Sequence, residues 1–151
     1  MKNIFVSIII IFIFFNIRTL AQMGNQHWKS LSKNNKERIW YDETFLDNPL
    51  SNKFNIWILQ MYNPSLEFQE IPERVYRSKI QYAINLKIMK YGMSKVVYYG
   101  INNKMIYNFD YHLFNYADSI KFSYPINDNP ILIKVFDQIR KRLPQKSRVT
   151  E

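Results

Sequence analysis

The spacing of apolar residues changes once along the chain, from every second position to every third or fourth. Strand-like alternation occupies residues 38–111, and helical spacing follows over residues 131–143. The two patterns in this order predict one α+β domain: a single antiparallel β-sheet meander with one C-terminal α-helix packed on a face.

The strand pattern begins with residues 38–41, a short aromatic and β-branched run. Residues 54–62 are almost wholly apolar, which is typical of a central strand covered on both faces. Asn63 and Pro64 are expected to end that strand, and an acidic loop is expected to follow. This loop would hold Pro72 and the carboxylates Glu67, Glu70 and Glu73.

Two further segments complete the sheet. Residues 80–86 alternate with period two and predict a third strand. Strand-like residues 96–99 and 105–111 flank Asn102 and Asn103, two residues that tolerate a positive φ angle. The arrangement predicts a β-hairpin.

The C-terminal helix has its own start and stop signals. Asp128 or Asn129 would be the N-cap, Pro130 suits the first helical position, and Pro144 would end the helix. One apolar stripe should face the sheet. Its members are Ile131, Leu132, Val135, Phe136, Ile139 and Leu143.

The N-terminus has the layout of a secretory signal peptide. Lys2 precedes an apolar run over residues 4–15 that only Ser7 interrupts, and Thr19, Leu20 and Ala21 form a small-x-small cleavage site. The run is shorter than the roughly 20 residues that span a bilayer, so an uncleaved membrane anchor is the less favoured alternative. We therefore expect an exported protein, in the periplasm or on the surface of a Gram-negative bacterium, that is not transmembrane after cleavage.

Cleavage would divide the chain into four parts. Residues 1–21 form the signal peptide, 22–37 an irregular polar entry segment, 38–143 the single α+β domain and 144–151 a basic tail. Without Lys2 and Arg18, 19 of the 21 basic residues remain against 12 acidic ones, a net charge of +7. A chain of this size can bury about two thirds of its unfolded surface, so its lack of cysteine does not argue against export.

Residues that could carry catalysis are few. The chain has no cysteine, two histidines and three glycines, so nothing resembles a nucleophile elbow or a phosphate loop. Asp110 and His112 could form part of a metal or general-base pair, but a surface pair at a hairpin end is the favoured interpretation. Glu67, Glu70 and Glu73 likewise suit a solvated loop better than a calcium site. We expect no enzyme, no cofactor and no metal.

Aromatic residues are dense on the proposed strands. They could form a stacking platform for sugars or single-stranded nucleic acid, although cross-strand aromatic pairs are the simpler interpretation. Export argues against nucleic acid as a partner. The residues concerned are Trp40, Tyr41, Trp57, Tyr98, Tyr99, Tyr107, Phe109 and Tyr111.

Positive charge is concentrated near the C-terminus. Such a cluster would favour an acidic partner, such as lipopolysaccharide, anionic lipid or a sulfated host polymer. Alternatively it solubilises the tail and complements the helix dipole. The candidate partner-binding residues are Arg140, Lys141, Arg142, Lys146 and Arg148.

Several short motifs follow one another along the chain: Trp28, Tyr41-Asp42, residues 82–86 with Lys90-Tyr91, Val97-Tyr98-Tyr99 and Tyr124-Pro125. Their order resembles the surface-adhesin protein E family of Gram-negative exported proteins. That family commonly pairs a cysteine of the third strand with one of the C-terminal helix. Leu86 and Ile139 occupy the corresponding positions here, so an apolar contact would replace the disulfide.

The resemblance implies an outer-surface role in attachment to host matrix proteins. We therefore expect a non-enzymatic, adhesin-like binding module that contacts a macromolecular partner, anionic if the basic residues make the contact. The alternative is a periplasmic carrier of a small apolar ligand held between helix and sheet. Partner identity and oligomeric state stay open at this point.

Overall fold

Seven strands and two α-helices make up the computed structural model, which describes residues 26–44 and 52–142. Three short 3-10 turns lie at Ile101–Asn103, Leu113–Asn115 and Ile126–Asp128. The helices are α1 (Asp118–Lys121) and α2 (Pro130–Arg142). The strands are β1 (Trp28–Lys33), β2 (Glu37–Asp42), β3 (Lys53–Phe68), β4 (Ile71–Asn85), β5 (Lys90–Tyr99), β6 (Met105–Asp110) and β7 (Tyr124–Pro125).

The strands form one sheet in the order β1-β2-β3-β4-β5-β6, and every neighbouring pair is antiparallel. The two-residue β7 pairs with β5 near its start, beside β6. Each of the first six strands thus lies next to its neighbour in sequence. The predicted α+β meander with a C-terminal helix is confirmed.

The hydrophobic core lies between α2 and one face of the sheet, here called the helix face. Ile39, Ile58 and Ile84 from three successive strands are fully buried there. Leu132 and Val135 of α2 pack against them and have no exposed surface. Other members of the predicted stripe, Ile131, Phe136 and Ile139, are partly buried against the same cluster, and Leu143 lies outside the described residues.

Asn129 is the N-cap of α2. Its side-chain Oδ1 accepts the backbone N–H groups of Ile131 and Leu132, each at 3.1 Å. These N–H groups have no partner inside a helix, so the cap satisfies them. Pro130 is the first helical residue, as predicted.

One correction concerns residues 22–37, which we expected to be irregular. Trp28–Lys33 form β1, an edge strand that pairs with β2. An edge strand touches one neighbour and needs few apolar residues, so the sparse pattern around Trp28 and Leu31 concealed it. The sheet domain therefore starts ten residues earlier than residue 38.

A second correction concerns the predicted acidic loop. β3 continues beyond Asn63 and Pro64 to Phe68, and β4 begins at Ile71. Proline lacks the N–H that a ladder requires, and the pairing is irregular between Met61 and Leu66. The hairpin formed by residues 62–76 is called the arm below.

Two of the three acidic residues of the arm form ion pairs. The Glu67 carboxylate lies 2.6 Å from the guanidinium of Arg74 across the hairpin, and Glu73 lies 3.1 Å from the ammonium of Lys104. Glu70 lies in the turn at the tip. These contacts are ion pairs between exposed side chains.

The β5–β6 hairpin has the predicted turn, with positive φ angles at Asn102 (60°) and Asn103 (61°). After β6, residues 112–122 cross the sheet face opposite the helix. They approach Gly92 so closely that a Cβ added there would lie 1.9 Å from the Lys121 carbonyl oxygen. Phe122 is buried, and β7 then follows the edge of β5 to the helix face.

Candidate functional site

All three tryptophans of the chain lie on the sheet face opposite α2. The reason is local: Trp40 alternates with the buried Ile39 and Tyr41, and Trp57 alternates with Ile56 and Ile58. Trp28 joins them because it pairs with Asp42. We call this surface the tryptophan face.

Strand pairing arranges the tryptophan face in rows that alternate aromatic, aliphatic and cationic side chains. Neighbouring strands are about 4.8 Å apart, and successive rows are about 7 Å apart along each strand. The two central rows are Trp40, Leu59, Lys79, Val97 and Arg38, Met61, Arg77, Tyr99.

Lys79 lies at the centre of this face. Its Nζ is 4.6 Å from the ring centroid of Trp57 and 5.6 Å from that of Trp28, within the range of cation–π attraction. Burial lowers the pKa of Lys79, and the negative charge of Asp42 opposes that shift. Within the described ranges Lys79 has no ion-pair partner.

The buried Asp42 is held in place by the backbone. Its Oδ1 accepts N–H groups from His27 at 3.0 Å and Thr44 at 3.1 Å. These bonds attach residue 27, just before β1, and residue 44, just after β2, to the side chain of Asp42. The carboxylate therefore has a structural role, and it lies close enough to Lys79 to act on its charge.

Arg77 is the second cation of the tryptophan face. Its guanidinium carbon lies 4.1 Å from the centroid of the Tyr99 ring. The Nε atom is buried and has no hydrogen-bond partner among the described residues. Arg38 is exposed, and Lys95 lies 3.9 Å from the Asp110 carboxylate.

The tryptophan face is open at its centre. Residues 112–122 cover only the end around Gly92, and no other described element crosses it. Trp57 and Leu59 are half-buried and Met61 is 42% exposed. The expectation that β3 is covered on both faces holds only at its start, where Lys53 contacts Asp118 and Phe122. Along the rest of β3 it is wrong, because α2 packs on the other side of the sheet.

A groove lies next to the row that contains Arg38 and Met61 and extends the tryptophan face. It has a volume of about 610 Å³ and lies at the β1–β2 turn. Arg38 and Met61 belong to both surfaces. The lining residues are Lys33, Asn34, Asn35, Glu37, Arg38, Met61, Tyr62 and Asn63.

The predicted basic site lies elsewhere. Arg140 and Lys141 are exposed on the last turns of α2, on the opposite side of the sheet from Lys79. Arg142 ends the helix, and Lys146 and Arg148 lie outside the described residues, as do the signal peptide and the tail. The structure thus does not bring Arg140 and Lys141 together with the tryptophan face.

Asp110 and His112 do lie together. Oδ1 of Asp110 accepts the backbone N–H of His112 at 3.0 Å and lies 3.5 Å from its Nδ1. Both side chains are largely exposed, and Asp110 also contacts Lys95. Residues 26–44 and 52–142 contain no group of three or more His, Cys, Asp or Glu side chains that could hold a metal ion.

Sequence reasoning missed the tryptophan face as a unit. The available signal was the alternation itself, since Trp40 and Trp57 each stand between two residues of the core. The alternation alone does not predict on which face of the sheet α2 packs, and therefore does not predict which face stays open.

Comparison with protein-family models, with curated proteins and with solved structures gives no match. The resemblance to the surface-adhesin protein E family stays a prediction. No helix in the described part of the chain has the length and apolar character needed to cross a membrane.

Proposed function

We propose that the protein is an exported, non-enzymatic and adhesin-like binding module of the bacterial envelope or cell surface. Its macromolecular partner would be an anionic polysaccharide bound across the tryptophan face. The observation that supports this most directly is the open cation–aromatic cluster in which Lys79 lies against Trp57 and Trp28.

The two side-chain types suit the two chemistries of such a polymer. Aromatic rings offer broad, rigid apolar surface and lose little conformational entropy on contact. Cations bind carboxylate or sulfate groups, and the planar guanidinium of Arg77 can do so with paired N–H groups. Stacking on Tyr99 holds that guanidinium in one orientation before a ligand arrives.

The positions of the cations favour an extended ligand. Arg38 and Arg77 share a row but are separated by β3, which places their strands about 10 Å apart. Lys79 lies one row further along the same strand as Arg77. A chain with repeated negative groups could contact several of these cations, and the groove beside Arg38 extends the same path.

Proteins bind single-stranded nucleic acid with surfaces of the same kind, which combine cations and aromatic rings. The predicted export favours a polysaccharide. The alternative of a carrier that holds an apolar ligand between α2 and the sheet would need space where Leu132 and Val135 are fully buried.

The test measures binding of the purified mature chain to immobilised heparin and to a polyuronate, with single-stranded DNA as a competitor. Lys79→Gln and Arg77→Gln should each weaken polysaccharide binding about tenfold to about a hundredfold, since a charge-assisted contact contributes about 1.5–3 kcal/mol. Lys141→Gln, on the exposed face of α2, is the matched control and should leave binding unchanged. Melting temperatures establish that each variant is folded.

Three outcomes would contradict the proposal. Loss of binding only in Lys141→Gln would place the contact at the basic end of α2. Full binding in both Lys79→Gln and Arg77→Gln would exclude the tryptophan face. DNA that displaces the polysaccharide at equal charge concentration would identify a general polyanion surface.

A further inference from the structure

Aromatic side chains also lie on the helix face, toward the β6 edge of the sheet. Tyr98 of β5 pairs with the buried Ser78. Ser78 pairs with Gln60, which in turn pairs with the core residue Ile39, so all four lie on the helix face. Tyr107 of β6 pairs with Tyr98 and therefore shares this face. These residues lie on the opposite side of the sheet from the tryptophan face.

Three rings form a row along β6 and just beyond its end, because every second residue of a strand points to the same face. We call Tyr107, Phe109 and Tyr111 the aromatic row. Ring centroids of Tyr107 and Phe109 are 4.0 Å apart. Those of Phe109 and Tyr111 are 6.3 Å apart, with only 13° between the ring planes. The three residues are 39%, 37% and 46% exposed, so the row presents ring surface to solvent.

The arm widens this surface at one end. Phe68 of the arm stacks on Tyr98, with ring centroids 5.3 Å apart and 28° between the planes. Tyr98 lies opposite Tyr107, the first member of the row. Phe68, Tyr98 and the aromatic row together are called the aromatic platform below.

The aromatic platform contains no charged side chain. The two charged residues nearest to it along β5 and β6 are Lys95 and Asp110, which are cross-strand partners on the other face of the sheet. The tryptophan face, in contrast, carries Lys79 and Arg77. Nucleic acids and anionic polymers bind surfaces that supply cations, so the platform favours an uncharged ligand.

The aromatic platform also offers hydroxyl groups. Within residues 26–44 and 52–142, the hydroxyls of Tyr107 and Tyr111 have no hydrogen-bond partner. Burial raises the pKa of Tyr98, and the nearby hydroxyl of Tyr111 adds to that rise. A wholly apolar partner would cover these hydroxyls without a hydrogen bond, which costs free energy. A ligand with hydroxyl groups of its own would satisfy them.

We propose that the aromatic platform binds an uncharged polysaccharide. The apolar faces of its sugar rings would stack on the rings of the aromatic row, and its hydroxyl groups would form hydrogen bonds with Tyr107 and Tyr111. Rings arranged in a line suit the successive sugars of a polymer better than a single small molecule. The row lies at the edge of the sheet, where no described strand follows β6. A polymer could therefore extend past the row.

The two binding surfaces differ in position and in chemistry. An anionic polymer on the tryptophan face and an uncharged polymer on the aromatic platform could be bound by one molecule at the same time. The aromatic platform is argued from its own residues and does not depend on the proposed anionic ligand.

Co-sedimentation of the mature chain with cellulose, chitin and cross-linked dextran, three uncharged polymers, tests the proposal. Salt at about 0.5 M shortens the Debye length to about 4 Å and so weakens contacts made by the tryptophan face. The parent chain should bind at least one polymer under these conditions. Tyr111→Ala and Phe109→Leu should each weaken that binding about fivefold to about a hundredfold, as when a ring that stacks on a nucleobase is removed. Phe109→Leu keeps an apolar side chain, so its loss of binding would come from the ring itself.

Tyr116→Ala is the matched control, because Tyr116 is 51% exposed but belongs to the segment that crosses the opposite face. This variant and Lys79→Gln should bind the uncharged polymer as the parent does. Tyr111→Ala should leave any heparin binding of the parent unchanged, which separates a failure of this proposal from a failure of the proposed function. Melting temperatures establish that each variant is folded.

A parent chain that binds none of the three polymers would overturn the proposal, as would unchanged binding in both Phe109→Leu and Tyr111→Ala. Loss of binding in Lys79→Gln alone would assign the uncharged polymer to the tryptophan face instead. Aromatic surfaces also recognise proline-rich peptides. Binding of polyproline by a parent chain that binds no polysaccharide would therefore replace the proposed ligand with a peptide.

Discussion

The side chain of Asn129 lies beside the hydroxyl of Tyr82 and offsets part of the rise that burial causes in the pKa of Tyr82, a contact between the start of α2 and the last residues of β4. Oδ1 of Asn129 accepts two backbone N–H groups, so its amide NH₂ group is the part that is available to Tyr82. One side chain therefore caps the helix and fixes its position on the sheet.

Replacing Asn129 by Ala should lower the free energy of unfolding by about 2–4 kcal/mol. Loss of an N-cap costs about 0.5–2 kcal/mol, and a buried hydroxyl without a partner costs about 1–3 kcal/mol. Urea unfolding measures the change. Asn127→Ala, at an exposed position of the preceding turn, is the control and should stay within about 0.5 kcal/mol of the parent. Equal stabilities of the two variants would contradict the assigned role.

Tyr82 should also make stability depend on alkaline pH. Burial raises the pKa of Tyr82 from 10.0 to about 12. Below pH 10 the hydroxyl is protonated in both states; between pH 10 and 12 the unfolded chain loses the proton while the folded chain keeps it. The free energy of unfolding should fall across this window, by up to about 1.4 kcal/mol per pH unit for one such group.

Burial also raises the pKa of Tyr41 and Tyr62, which adds to this fall, whereas the lowered pKa of Lys79 opposes it. Urea unfolding of the parent and of Tyr82→Phe at several alkaline pH values isolates the contribution of Tyr82. The slope against pH should be smaller in Tyr82→Phe. Identical slopes would mean that Tyr82 titrates at its ordinary value.

Two glycines should respond differently to an added methyl group. In Gly92→Ala the new carbon would meet the Lys121 carbonyl at 1.9 Å, and a backbone group cannot move aside without shifting residues 112–122. We expect a loss of about 1–3 kcal/mol in thermal or urea unfolding. In Gly100→Ala the nearest atom is at 3.4 Å and φ is −79°, so stability should change little or rise by up to about 1 kcal/mol. The reverse ranking would show that the crossing segment does not rest on Gly92.

Export predicts a defined mature N-terminus. Protein isolated from its natural host should begin at Gln22, after the Thr19-Leu20-Ala21 site. Intact mass and N-terminal sequencing measure this directly. Recovery of the chain with Met1 in place would contradict export by a cleaved signal peptide and would return nucleic acid to the set of candidate partners.

The parts of the fold that sequence predicted are those with strong local signals. Ile56 and Ile58 alternate with Trp57, Asn102 and Asn103 favour a turn, and the stripe around Leu132 has helical spacing. β1 was not predicted, because Trp28 and Leu31 are its only large apolar residues. The irregular pairing at Ser30 and Ser32 also interrupts the alternation of apolar and polar residues that marks a strand.

The misjudged parts depend on contacts between distant residues. Asn63-Pro64 is a local signal for a strand end, but pairing of Leu66 with Val75 continues the strand into the arm. The open tryptophan face likewise follows from which side α2 occupies, and no residue of β3 encodes that choice by itself. The candidate site could be assembled only once the register placed Lys79 beside Trp57.

The order of the strands also has a kinetic consequence. Because β1 to β6 each pair with the next strand in sequence, the sheet can assemble through successive hairpins that close short loops. The long-range step is the return of α2 to strands formed some fifty to ninety residues earlier, where Leu132 meets Ile39 and Ile84 in the core cluster. Docking of α2 should therefore be the late event in folding, and substitutions in its buried stripe should accelerate unfolding more than they slow folding.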